Sequence, residues 1–113
     1  MISLDDDLRA LPKAELHVHI EGTITPAMTR RLAARNKVDL DPGIFTPDGT
    51  AYRWENFLDL VTRVYQAMSL CMKTKEDYAE VTHDYLTRCA DEGAIYIEFI
   101  AWPGQPKLSG ISW

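Results

Sequence analysis

The seven residues Ala14 to Ile20, A-E-L-H-V-H-I, alternate without a break between apolar and polar side chains. A period of two is the mark of a half-buried strand. It puts Ala14, Leu16, Val18 and Ile20 on one face and Glu15, His17 and His19 on the other. Pro12 ahead of the run and Gly22 behind it set its ends. A second run, Ala94 to Ala101, reads A-I-Y-I-E-F-I-A and is almost continuously apolar. That pattern predicts a strand buried on both faces in a parallel sheet.

The chain between these strands is patterned as helix. Thr25 followed by Pro26 reads as an N-cap with proline at the first helical position, opening a short helix to about Asn36. Val38 to Arg53 carries Pro42, Gly43, Pro47, Asp48 and Gly49 and reads as a loop. Trp54, Phe57, Leu58, Val61, Val64, Tyr65 and Met68 then recur at helical spacing, and from periodicity alone they read as one face of a helix packed into a core. Thr74 caps a further helix whose stripe is Tyr78, Val81, Tyr85, Leu86 and Cys89, stopped by Gly93. Strand, helices, strand is an α/β unit in which a right-handed crossover joins parallel strands. Two strands alone leave open sheet edges through which such a chain can self-associate, and they point to a part of a larger architecture. The tail with Pro103, Gly104, Pro106 and Gly110 has no readable register.

Composition narrows the function classes. With 113 residues, 46% hydrophobic and 26% charged, the chain has the make-up of one small globular domain. A net charge of −5 argues against a nucleic-acid partner. Its one basic cluster, Arg30, Arg31, Arg35 and Lys37, is expected to be a solvated helix face. No stretch has the roughly 20 apolar residues of a membrane span. Asp5, Asp6 and Asp7 interrupt any leader-like run and read as a solvated turn, so the expected location is cytoplasmic. Cys71 and Cys89 match no short metal or redox motif and are expected as buried free thiols. His83 lies off the stripe of its helix and is expected in solvent.

The polar face of the first strand carries the chemistry. His17 and His19, two residues apart, project together near the strand's C-terminal end, where α/β proteins bind ligands. Two neutral imidazoles supply half of a tetrahedral metal site. Taken alone, His-x-His also suits two satisfied polar side chains in a barrel interior. Glu15 and Glu21 share the face if the strand geometry extends that far, and so many ionisable groups on an inward face are costly unless they serve a site.

The full stretch Leu11-Pro12-Lys13-Ala14-Glu15-Leu16-His17-Val18-His19-Ile20-Glu21-Gly22-Thr23 resembles the first-strand signature of the adenosine/adenine deaminase family. Glu92-Gly93-Ala94-Ile95-Tyr96-Ile97-Glu98-Phe99 is similar to that family's second strand, so the likeness runs from about Leu11 to Ala101. The resemblance implies a partial TIM (β/α)8 barrel, with residues 1–113 forming the N-terminal part of one barrel domain and no separate second domain. It implies a zinc ion (Zn2+) held by His17 and His19. It places Glu21 against the substrate, and Phe57, Leu58 and Val61 as an apolar lid one turn after Trp54. The implied reaction is hydrolytic deamination of a small-molecule purine by zinc-activated water. The expected substrate is adenosine, yielding inosine and ammonia, with adenine to hypoxanthine as the alternative; glutamate at position 21 leaves the two open. The remaining metal ligands and the general acid/base fall on later strands of the family, so this chain alone is expected to be inactive. A non-catalytic chain acting only by association, or another metal-dependent amidohydrolase sharing His-x-His, are the competing readings. The tail from Ala101 to Pro106 departs from the small-residue-then-proline loop that the resemblance implies.

Overall fold

The alternating segment and the apolar run form the two strands of one parallel sheet, β1 (Lys13–His19) and β2 (Ala94–Ile100). The structure, a computed structural model, describes residues 3–101, 110 and 111; the tail from Trp102 to Pro106 lies outside them. A helix precedes β1, and a helical crossover links it to β2. Thus α1 spans Leu4–Ala10, α2 Pro26–Asn36, α3 Phe57–Asp59, α4 Gln66–Leu70 and α5 Lys75–Asp91.

Helix starts follow local chemistry. Thr25 caps α2, its hydroxyl accepting from the Met28 N–H at 3.2 Å, with Pro26 in the first turn. Thr74 and Asp77 form a reciprocal capping box at α5. The Asp5–Asp7 segment is helical rather than a turn: Ser3 and Asp6 make a second capping box, and three carboxylates fall where the helix dipole favours them. Gly93, at φ 87°, turns the chain from α5 into β2. A side chain there would meet the Arg9 carbonyl at 2.2 Å.

The core lies among the crossover elements. Met28, Leu32 and Ala33 of α2 pack with Ile44, Val64, Met68, Cys71, Met72 and Val81. The segment read as a loop contributes to it: Asp41 caps a short 3-10 turn, Pro42–Ile44, and Ile44 and Phe45 are buried. Phe45 bridges to Tyr52 with rings stacked at 5.7 Å, and the Arg30 guanidinium lies over Phe45.

The basic cluster is exposed, as expected of a solvated face, and two of its members also reach α5. Arg31 pairs with Glu80, and Arg35 pairs with Glu80 and with the buried Asp77. Asp77 also accepts from the Lys73 and Thr74 N–H groups and the Asn36 amide. Cys71 and Cys89 are buried free thiols, and burial pushes the Cys71 thiol up to about 11. His83 is exposed.

Three expectations need correction. The strand β2 is not buried on both faces: Ile95 and Tyr96, which point to opposite faces, are both exposed, because the two-stranded sheet is covered only locally, as where Tyr85 of α5 sits edge-on to Phe99 at 5.9 Å. The alternation of β1 is broken, with register shifts at Lys13/Ala14 and between Glu15 and Val18. His17 sits there in the left-handed region at φ 59°, a conformation that histidine adopts more readily than most residues. The helical stripe from Trp54 to Met68 does not stay on one face: a π-helical segment, Leu60–Tyr65, separates α3 from α4. Thr62 Oγ1 donates to the Leu58 carbonyl at 2.8 Å, occupying the acceptor that its own N–H takes in an α-helix. The wider π turn rotates the two halves of the stripe apart. Val64 and Met68 are buried, while Phe57 is 79% and Leu58 69% exposed.

Candidate active site

The end of β1 builds the site. Pairing of Val18 with Phe99 and His19 with Ile100 fixes the last residues of the strand against β2. The distortion at His17 does not part the two imidazoles, whose ring centroids are 5.3 Å apart with planes tilted by 46°. Both side chains are exposed. Two histidines sharing one tetrahedral ion through nitrogens at about 2.1 Å hold their centroids roughly 5 Å apart, so this pair suits a common ion. Among the described residues no group of three or more His, Cys, Asp or Glu side chains is placed to hold a metal.

Immediately after His19 the backbone turns. Ile20–Gly22 is a 3-10 turn closed by the Thr23 N–H and hydroxyl on the Ile20 carbonyl. This turn takes Glu21 off the strand face, where it was expected beside Glu15, and buries it to 1% exposure. The Tyr65 hydroxyl donates to Glu21 Oε2 at 3.3 Å. Burial, with the Glu21 charge adding to it, pushes the Tyr65 phenol up to about 12. Tyr78, from α5, feels the same carboxylate: burial first and then Glu21 hold its phenol far above the ordinary tyrosine range. Its shielded hydroxyl has no hydrogen-bond partner among the described residues.

Above this turn lies a cleft of about 630 Å³ lined by His19, Gly22, Tyr52, Trp54, Phe57, Leu60, Val61, Tyr65 and Met68. Of the four residues expected at the substrate, Phe57 and Val61 line it. Leu58 and Glu21 fall outside the lining, Glu21 being buried and bonded to the lining residue Tyr65. The π segment is responsible: it leaves Phe57 and Val61 at the mouth while anchoring Val64 and Met68 in the core. Exposed aromatic and aliphatic side chains around a cleft that ends at an imidazole suit the faces of a flat heterocycle. Tyr52 and Tyr65 were not singled out from the sequence, although Tyr65 stood on the helical stripe. Tyr52 had no such signal, since its position depends on a hydroxyl that donates to the Ile24 carbonyl at 2.8 Å and accepts from the Thr29 hydroxyl at 2.6 Å.

Comparison with known proteins agrees with this reading of the fold. An α/β unit of this kind, with its histidine pair at a strand end, matches the crystal structure of adenine deaminase from Arthrobacter aurescens at a TM-score of 0.66 and 29% identity, over 88% of this chain and 30% of that one. The family model for adenosine deaminase matches residues 12–113, and the chain belongs to that family. An aminodeoxyfutalosine deaminase of Acidothermus cellulolyticus is 36% identical over 106 residues, which is 94% of this chain and 30% of the relative. An adenine deaminase of Sinorhizobium medicae is 41% identical over 101 residues, covering 89% of this chain and 30% of the relative. An adenine deaminase of Chelativorans sp. is 40% identical over 102 residues, covering 90% and 30%. The chain therefore spans about 30% of the length of the curated relatives it matches.

Proposed function

We propose that the protein to which this segment belongs is a zinc-dependent deaminase of 6-aminopurines, with adenine as its substrate in preference to adenosine. The observation that carries this is the meeting of His19, one of a close imidazole pair, with an aromatic-walled cleft. In this reading the segment is the first strand, crossover and second strand of a (β/α)8 barrel, and catalytic groups gather at the C-terminal ends of such strands. His17 and His19 hold the ion. When bound, zinc supplies the Lewis acidity that makes hydroxide available near neutral pH. Phe57 and Val61, with Trp54, cover the purine and exclude water. Glu21, buried and bonded by the lining Tyr65, borders the cleft without lining it.

The expectation of adenosine gives way to its alternative because several relatives are named as adenine deaminases and the glutamate at position 21 suits both substrates. The test is ammonia release by the purified native gene product from adenine and adenosine side by side. Faster release from adenine is expected. Release from neither substrate overturns the reading.

A further inference from the structure

The segment that brings Trp54 and Phe57 to the mouth of the cleft has little regular structure to hold it. Trp54, Glu55 and Asn56 lie in neither helix nor strand. The helix they lead into, α3, is three residues long. Trp54 is 49% and Phe57 79% exposed, so burial does little to fix either ring. Both rings nonetheless line the cleft.

Two side chains that do not line the cleft supply the missing bonds. Arg63 meets Asp59 as a two-pronged fork: Nε donates to Oδ1 and Nη2 to Oδ2, each at 2.7 Å. A planar bidentate pair of this kind admits one geometry. From the fork, bonds run back to the chain on both sides of Trp54. Arg63 Nη2 also donates to the Arg53 carbonyl at 3.2 Å, and Asp59 Oδ2 accepts from the Glu55 N–H at 3.0 Å. The Asn56 side chain accepts from the Asp59 N–H at 3.0 Å. Arg53 is itself tied to the core, because its N–H donates to the carbonyl of the buried Ile44 at 2.8 Å. The Arg63 guanidinium also lies 4.0 Å from Asp41, which caps the turn that holds Ile44. The Asp59 and Arg63 side chains are 21% and 35% exposed, so water screens the pair only in part. The Arg63 hydrogen bonds, and after them the Glu55 N–H, hold the Asp59 carboxyl down at about 2, which keeps the pair ionised near neutral pH.

We infer that Asp59 and Arg63 are positioning residues for purine binding: their fork clamps the chain on either side of Trp54 and so sets Trp54 and Phe57 over the cleft. The inference rests on the deaminase reading above and deepens it. A wall ordered in advance spares the ligand the entropy of ordering these side chains on binding. Contacts from Trp54 and Phe57 to the faces of the purine are made in the ground state and the transition state alike. Loosening them therefore raises KM far more than it lowers kcat.

The experiment compares full-length wild type with Arg63→Met, Arg63→Lys and Asp59→Asn by two readouts. The first is steady-state deamination of adenine or adenosine, whichever the wild type turns over faster. In Arg63→Met, KM is expected to rise about tenfold while kcat falls by less than about threefold. Lysine keeps the charge but not the fork, and Arg63→Lys is expected to recover part of the loss. The second readout is limited trypsin digestion followed by mass spectrometry. Arg53 is exposed, so cleavage of the Arg53–Trp54 bond reports how often the clamp opens. That cleavage is expected to accelerate about tenfold in both Arg63→Met and Asp59→Asn, with other sites cut as in wild type. An unmoved KM, a loss confined to kcat, or an unchanged rate of cleavage overturns the inference. If neither Arg63→Met nor Asp59→Asn folds, the pair serves the fold as a whole and the inference is overturned likewise. Wild-type protein that deaminates neither substrate overturns the deaminase reading itself, and the trypsin readout then still decides whether the fork holds the segment.

Discussion

Asp77 is where the crossover is tied together, and Asp77→Ala is expected to cost about 3 kcal/mol. The carboxylate is 1% exposed. It accepts from the Lys73 N–H at 2.8 Å, the Thr74 N–H at 3.0 Å and the Asn36 amide at 2.8 Å, and it pairs with Arg35. Alanine leaves three donors without that acceptor, at about 1 kcal/mol each for a buried group. The lost ion pair adds little, because the Arg35 side chain is 45% exposed and regains water. Asp77→Asn keeps one acceptor oxygen and is expected to lose about half as much. The pH dependence has a definite sign. Burial alone raises the Asp77 carboxyl, but hydrogen bonds from Lys73, Asn36, Arg35 and Thr74 outweigh it and hold the group below its usual range. A carboxyl depressed in the folded state contributes fully above its unfolded value of about 3.9 and loses that contribution as pH falls through the folded one. The gap between wild type and Asp77→Ala is therefore expected to be level from pH 5 to 8 and to close below about pH 4. Urea unfolding followed by circular dichroism at pH 7 and pH 3 measures both. A gap under about 1 kcal/mol at pH 7, or one that does not shrink in acid, refutes the reasoning.

Other perturbations separate the roles of neighbouring residues. Val64→Ala should cost about 2 kcal/mol and Phe57→Ala less than about 0.5 kcal/mol, although both lie on the same sequence stripe, and thermal unfolding distinguishes them. On the proposed reading, Phe57→Ala in the full-length protein should instead raise KM for adenine in steady-state assays. Gly93→Ala should destabilise by more than about 2 kcal/mol in the same unfolding assay, since it adds a side chain at positive φ against the Arg9 carbonyl. Cys71 and Cys89 should resist alkylation at pH 7.5 until denaturant is added, because both are buried and the Cys71 thiol is held up at about 11.

Much of this architecture was legible in the residues. Local signals with a single physical cause were read correctly: Thr25-Pro26 at the start of α2, Thr74 at the start of α5, Gly93 at its end, and the two parallel strands. Signals that depend on geometry between elements were not. Periodicity assumes a uniform helix, so the π segment that exposes Phe57 and buries Val64 was invisible to it. Alternation assumes an unbroken strand, so neither the left-handed His17 nor the turn that sinks Glu21 could be read from it. The pairing of Arg31 and Arg35 with α5 was missed because charge counts do not say which helix faces which. The Thr74-x-x-Asp77 spacing did carry a signal, a capping box, that pointed to Asp77 as more than a surface charge.

No helix among the described residues is long and apolar enough to cross a membrane. In the proposed function the end of β1 carries half of the metal shell of a purine deaminase. The most direct test of this is the zinc content of the native gene product, purified without added metal, against that of a His17→Ala/His19→Ala variant. About one zinc per chain in the native protein, lost in the variant, is the predicted result. A variant that retains the ion, or a native protein that deaminates adenine without metal, contradicts it.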